Sequence, residues 1–394
     1  MKRTAKIISP CILGLVLLLA LPLPAPGIAE GAAAMADNPS LQGQLEELEG
    51  FLLEIDRELS RAIPELSLTQ LFNKLREGNV DLSVAGITQG MVQFLFRELL
   101  ANSMLLGQLI VLAVLAAVLQ NMQTAFENAT ISKLANAVIF LALISLALVS
   151  FHRVTSAGKT AIEQMVQFVY ALLPVLVTLM ASVGSLSTAS IIHPVILTAL
   201  SIISSMTVNI IFPLMYLAAV LTIANQISEQ FQVTQLAKLF KDISLGLLGL
   251  FLTIFIGILS IQGVAGAVAD GVALRTAKFL TGSFVPVVGK AFSDALEAMI
   301  GTSLLLKNAV SLIGVAVITC LCLLPAVKIL SMALIYRLAA AIIQPFSGGS
   351  ISNMLESLAG VLFSVFGAVA TVGLMFFMVV TIIAGLGNYS VLLR

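Results

Sequence analysis

The chain has 394 residues, of which 59% are hydrophobic and 10% charged, with twenty basic residues balancing twenty acidic ones. Soluble domains carry about 25% charged residues, so a mean hydropathy of +1.09 excludes an ordinary soluble globular protein. The apolar runs are continuous and lack the two-residue alternation of barrel strands, so the composition predicts an all-α, polytopic helical membrane protein.

Residues 1–36 have the three-part pattern of a secretory signal peptide. Lys2, Arg3 and Lys6 give a basic start, Ile7–Leu21 is a short apolar run, and Pro22, Pro24, Pro26 and Gly27 end it before a stretch of small residues. The run is short for a full span, which favours cleavage over a retained anchor.

Residues 37–100 differ in composition. They hold eleven acidic residues against five basic ones, a net of −6. Leu41, Leu45, Leu48, Leu52, Ile55, Leu59 and Ile63 recur every three or four positions and predict one apolar helix face, ended or kinked by Pro64. Shorter helical patterns follow over Leu68–Arg76 and from about Thr88. The expectation is a small acidic helical domain on the extracytoplasmic side, too short for a large core of its own.

From residue 101 onward the membrane domain begins. Eight apolar runs are long enough for a bilayer of about 30 Å: Ser103–Gln120, Leu134–Phe151, Val166–Val183, Val195–Ala224, Leu245–Gln262, Asn308–Leu324, Ala326–Ile343 and Leu358–Ala384. The fourth contains Pro213 and is too long for one upright span. Between the fifth and sixth lies the Gly- and Ala-rich stretch 263–303, which mixes Asp270, Arg275, Lys278, Lys290, Asp294 and Glu297 with apolar residues. Irregular backbone at membrane depth survives only where protein or water lines it. These six residues are therefore the candidate polar pathway or docking surface, and a solvated amphipathic link is the alternative.

Two charges fall inside apolar runs. Lys328 lies near the start of the run between Pro325 and Pro345, and Arg337 near its middle. Either they face water or a carboxylate such as Asp294, Glu297 or Glu356, or they snorkel to an interface. Gly360, Ser364 and Ala368 repeat every four residues and form a smooth stripe for helix packing, within the chain or between copies. Asn209, Asn308 and Gln344 are expected to bond helix to helix. Lys and Arg near the span ends divide evenly between the two sides, so they give no positive-inside signal for the later spans.

The sequence carries no enzyme signature. His152 and His193 stand at span ends without a second ligand at metal spacing. Ser156-Ala157-Gly158-Lys159-Thr160 has the look of a phosphate-loop ending, but position 153 is Arg where such a loop needs Gly, and a membrane helix precedes it. Cys320 and Cys322 point in different directions on a helix and are expected to pack rather than pair. No catalytic residue, metal, cofactor or nucleic-acid partner is expected.

Lys241 opens the stretch KDISLGLLGLFLTIFIGILSIQG. Val268 opens VADGVALRTAKFLTGSFVPVVGKAFSDALEAMIGTSLLLKNAVSLIGV, and LPAVKILSMALIYRLAAAIIQP ends at Pro345. The pattern is densest over roughly residues 241–345, and its most specific parts are Ala269–Ala273, Arg275–Lys278 and Phe284–Gly289. With these stretches the chain resembles the stage III sporulation protein AE family. The resemblance implies an integral component of a multi-protein complex made in the mother cell and seated in the outer forespore membrane. That complex would meet a forespore membrane partner across the intermembrane space and act as a channel or secretion-like conduit. It would support forespore integrity and late forespore gene expression after engulfment. A stand-alone secondary transporter and a non-conducting scaffold are the two other classes that the sequence leaves open. A homo-oligomer is compatible with all three.

Overall fold

The computed structural model describes residues 84–125, 129–183, 185–227, 233–284, 288–345 and 350–392, together with Gly50, Leu53 and Arg57. Within several stretches, chiefly 119–136, 263–302 and 386–392, the description is of backbone. Among the described residues every regular element is a helix. The elements are α1 (Val84–Ala101), α2 (Ser103–Ala125), α3 (Ala129–Ser182), α4 (Leu186–Met206), a π-helical turn (Thr207–Ile211), α5 (Phe212–Ile227), α6 (Thr234–Phe284), α7 (Val288–Ile343) and α8 (Ser350–Leu392). The expected signal peptide and most of the acidic domain lie outside the described residues.

Helices form here because lipid offers backbone groups no partner. That constraint also explains the prolines. Pro174, Pro194 and Pro325 all sit inside helices rather than ending them. Each removes one backbone donor. The Thr178 hydroxyl donates to the Pro174 carbonyl at 2.9 Å, and the Thr198 hydroxyl to the Pro194 carbonyl at 2.8 Å. Pro213 is handled differently. It has no N–H for the Asn209 carbonyl, and just before it the helix widens into the π turn, with the Phe212 N–H reaching back five residues to the Thr207 carbonyl. The run that was too long for one upright span is therefore one continuous helical path carrying a bulge. Among the described residues Asn209 bonds within its own helical path rather than to another helix, its Nδ2 donating to Ser205 Oγ at 3.2 Å.

Helices α7 and α8 form the centre. They make the most extensive helix contact, and each also packs on α3. Over half of their most apolar windows is buried, 56% and 61%, against 22% for α6, which is peripheral. Among the described residues five helices are long and apolar enough to cross a membrane, or six if the bent pair Gln89–Ala101 and Ser103–Val118 counts as one broken span. The eight apolar runs and these helices do not correspond one to one. Leu134–Phe151 and Val166–Val183 are two ends of α3, while Asn308–Leu324 and Ala326–Ile343 are both in α7. The residues between the first two runs include no proline, and Pro325 between the second two is absorbed into the helix.

Of the expected acidic domain, residues 84–100 are described; they form α1, whose Phe94 is buried in the common core. The bend of 46° falls at Asn102. There the side-chain Nδ2 donates to the Glu98 carbonyl at 2.9 Å, and the Asn102 carbonyl accepts from the N–H groups of Leu105 and Leu106. The amide thus caps the end of α1 while its backbone starts α2.

Candidate functional site

Three close approaches fix the helices around α7. A Cβ added to Gly373 on α8 would fall on Cys322 Sγ and lie 2.7 Å from the Cys322 Cβ. Only hydrogen fits there, and the Cys322 thiol points to the Val369 carbonyl at 3.7 Å. Gly314 meets Leu172 of α3 and Val380 of α8. Gly158 of α3 lies against Ile329, Val369 and Phe212, so three other helices converge on it. The string around Gly158 is thus buried helix packing at its glycine, with no strand before it. Cys320 and Cys322 are not bridged to each other.

These contacts set the register. Along α7 and α8 the pairs are Ala340 with Ser352, Cys322 with Val369 and Gly373, and Gly314 with Val380, so the two run antiparallel. Along α3 and α7 they are Ala147 with Tyr336, Gly158 with Ile329, and Leu172 with Gly314, again antiparallel.

Polar groups in this frame fall into four places. Tyr336 is fully buried and its hydroxyl donates to the Ala147 carbonyl at 2.7 Å. Further toward the start of α7, Lys307 is fully buried, and its ammonium has no hydrogen-bond partner among the described residues. The hydroxyls of Ser311, one turn further on, and of Thr381, beside Val380 across the hairpin, share that condition. Lys241 on α6 reaches α8, its Nζ 3.3 Å from the position of a Cβ on Gly360. Finally, α3 exposes His152, Arg153, Lys159 and Glu163 at mid-length, with Lys159 and Glu163 paired at 3.8 Å. His152 lies edge-on to Tyr216 at 6.0 Å between ring centroids.

The residues singled out from the sequence fall as follows. Asp270, Arg275 and Lys278 lie on the second half of α6, and Lys290, Asp294 and Glu297 on the first part of α7. Their backbone is helical, with a gap in the description at 285–287, and their side chains lie outside the described residues. Lys328 and Arg337 are exposed on α7, as is Glu356 on α8. Gly360 is half-buried, while Ser364 and Ala368 are buried; the Ser364 hydroxyl donates to the Gly360 carbonyl at 3.1 Å. Tyr336 and Lys307 are not marked in the sequence, because nothing in an apolar run shows which polar residue turns inward.

Among the described residues no three His, Cys, Asp or Glu side chains come together as a metal site. What the architecture defines is a polytopic α-helical membrane protein with a packed core of long helices and a few polar faces. The chain belongs to the stage III sporulation protein AE family, whose pattern matches residues 66–387. It is 40% identical over 366 residues to "Stage III sporulation protein AE" of Bacillus subtilis (strain 168), covering 93% of this chain and 92% of that protein. No solved structure matches it.

Proposed function

We propose that the protein is a non-enzymatic, integral component of a mother-cell-to-forespore complex. In this reading it sits in the outer forespore membrane during sporulation. It assembles there with other membrane proteins of the stage III complex and with a forespore membrane partner. The assembly is a channel or secretion-like conduit that supports forespore integrity and late forespore gene expression after engulfment. The observation that carries this reading is the 40% identity to a sporulation protein over nearly the full length of both chains. Its long apolar helices suit the role of the membrane-embedded part.

The acidic segment before α1 would face the space between the two membranes and meet partner domains there. The charged segment with Asp270, Arg275, Lys278, Lys290, Asp294 and Glu297 would be a polar pathway or docking surface on α6 and α7. An in-frame deletion in the native host, scored with a late forespore promoter reporter, tests the role. Engulfed but small or collapsing forespores with a silent reporter are expected; normal spores with normal reporter activity would remove the reading. Neutralising the six charges together tests the surface. Loss of reporter activity with normal protein levels is expected, and normal sporulation would sink that assignment.

A further inference from the structure

On α3, His152, Ser156, Lys159, Glu163 and Gln167 follow one another at spacings of four, three, four and four, which places them on one helix face. Arg153 and Thr160 flank them, and all seven are exposed. From His152 to Gln167 the face is about 22 Å long at 1.5 Å per residue. That is most of the roughly 30 Å of a hydrocarbon core. It lies within the helix segment Ala137–Ser182, which also contains a stretch apolar enough to cross a membrane.

The depth of this face follows from its neighbours. Gly158 is level with Ile329, Val369 and Phe212. Helix α5 starts at that level and runs toward Tyr216, beside His152, so it heads antiparallel to α3. The connection to α6 is short, closed by the Val233 N–H donating to Asn225 Oδ1 at 3.0 Å, and α6 therefore returns parallel to α3. Lys241 passes Gly360, nine residues before Val369 on α8. Nine and thirteen residues beyond Lys241, Leu250 and Ile254 thus come level with Gly158 to Glu163. They are apolar and 52% and 51% exposed. Ile210, two residues before Phe212, is exposed as well.

At one depth, then, α6 and the π turn present apolar side chains outward while α3 presents charges and hydroxyls. A bilayer that covers Leu250 and Ile254 places the α3 face at hydrocarbon depth. There an uncompensated charge is costly unless it faces water or a partner. Lys159 and Glu163 pair with each other instead of reaching apart toward opposite interfaces.

We propose that this face of α3 is the wall of a water-filled groove at membrane depth, open to small hydrophilic solutes. The groove deepens the conduit reading and rests on it for its biological purpose, whereas its existence is a property of the purified protein in lipid.

The test is spin-label accessibility of the full chain in liposomes. The native cysteines are replaced by alanine, and single cysteines are placed by Ser156→Cys, Thr160→Cys and Gln167→Cys on α3, and by Leu250→Cys and Ile254→Cys on α6. The probes are a water-soluble nickel chelate and molecular oxygen. The expected result is collision with the chelate several-fold greater on α3 than on α6, with oxygen favouring the α6 positions. Oxygen dominating on α3 would overturn the groove in favour of lipid. Labels on α3 that neither probe reaches would overturn it in favour of a protein cover. Chelate reaching α6 equally would overturn it by placing the whole level outside the bilayer. None of these outcomes depends on sporulation, so a normal-spore deletion and a dry α3 face are separate failures.

Discussion

The hydroxyl of Tyr336 on α7 donates to the backbone carbonyl of Ala147 on α3, at 2.7 Å and across 189 residues of sequence. The ring is fully buried, so its polar tip needs a partner. The carbonyl supplies one with its second lone pair while remaining in its helix. This bond ties the first half of α3 to the last turns of α7, where no glycine brings the two backbones together. Tyr336→Phe keeps the ring and removes only the donor. The expected cost is about 1 kcal/mol, since net hydrogen bonds are of that size in water and inside bilayers alike. Thermal unfolding of detergent-purified protein by circular dichroism measures it, and an unchanged midpoint would show that packing alone positions α3.

A second prediction contrasts two glycines. At Gly373 an added methyl collides with both Cys322 Sγ and Cys322 Cβ. Overpacking of this kind costs about 1–3 kcal/mol. Gly373→Ala is therefore expected to lower the midpoint clearly. Adding Cys322→Ala removes the sulfur but leaves a Cβ at 2.7 Å, so the rescue should be partial; adding Cys322→Gly should rescue more. Equal midpoints for all three would mean that the helices slide apart freely at this point.

At Gly158 the same methyl meets Ile329, Val369 and Phe212 at 3.2–3.3 Å, which a shift of a few tenths of an ångström relieves. Alanine also gains about 1 kcal/mol of helix propensity over glycine. Gly158→Ala is expected to be near neutral, and Gly158→Leu to abolish accumulation of folded protein in the membrane. A severe loss with alanine would point to a demand for backbone freedom inside α3 rather than to space.

Hydropathy made the helical class and most apolar runs legible, because an all-round apolar stretch leaves a chain in lipid little choice. It divided α3 and α7 too often for two different physical reasons. In α3, His152 to Gln167 lowered the window average although the polar residues occupy one face; their spacing of four, three, four and four was present in the sequence and signals helix rather than link. In α7, Pro325 reads as a break in water, whereas lipid and surrounding helices keep the helix intact. The Tyr336–Ala147 bond and the Cys322–Gly373 contact were not legible, since each joins residues that only the antiparallel register brings together. The charged stretch 263–303 was singled out by composition, and composition cannot tell whether its charges turn to water or to one another.

Lys307 carries the last prediction. Its side chain is fully buried, and among the described residues its ammonium has no hydrogen-bond partner. A buried charge without a partner is costly, and replacement of buried ionic groups by apolar ones of similar volume is often stabilising by about 1–4 kcal/mol. Methionine matches the stem of lysine and fills the same path. Lys307→Met is therefore expected to raise the unfolding midpoint, and Lys307→Glu, which keeps a buried charge but reverses its sign, to lower it. The sign of the methionine result is decisive. A rise means that the ammonium strains this end of the α7–α8 hairpin, next to the unpartnered hydroxyls of Ser311 and Thr381. A fall of several kcal/mol would mean that the ammonium is held by a carboxylate beyond the described residues, because breaking a buried pair leaves its partner uncompensated.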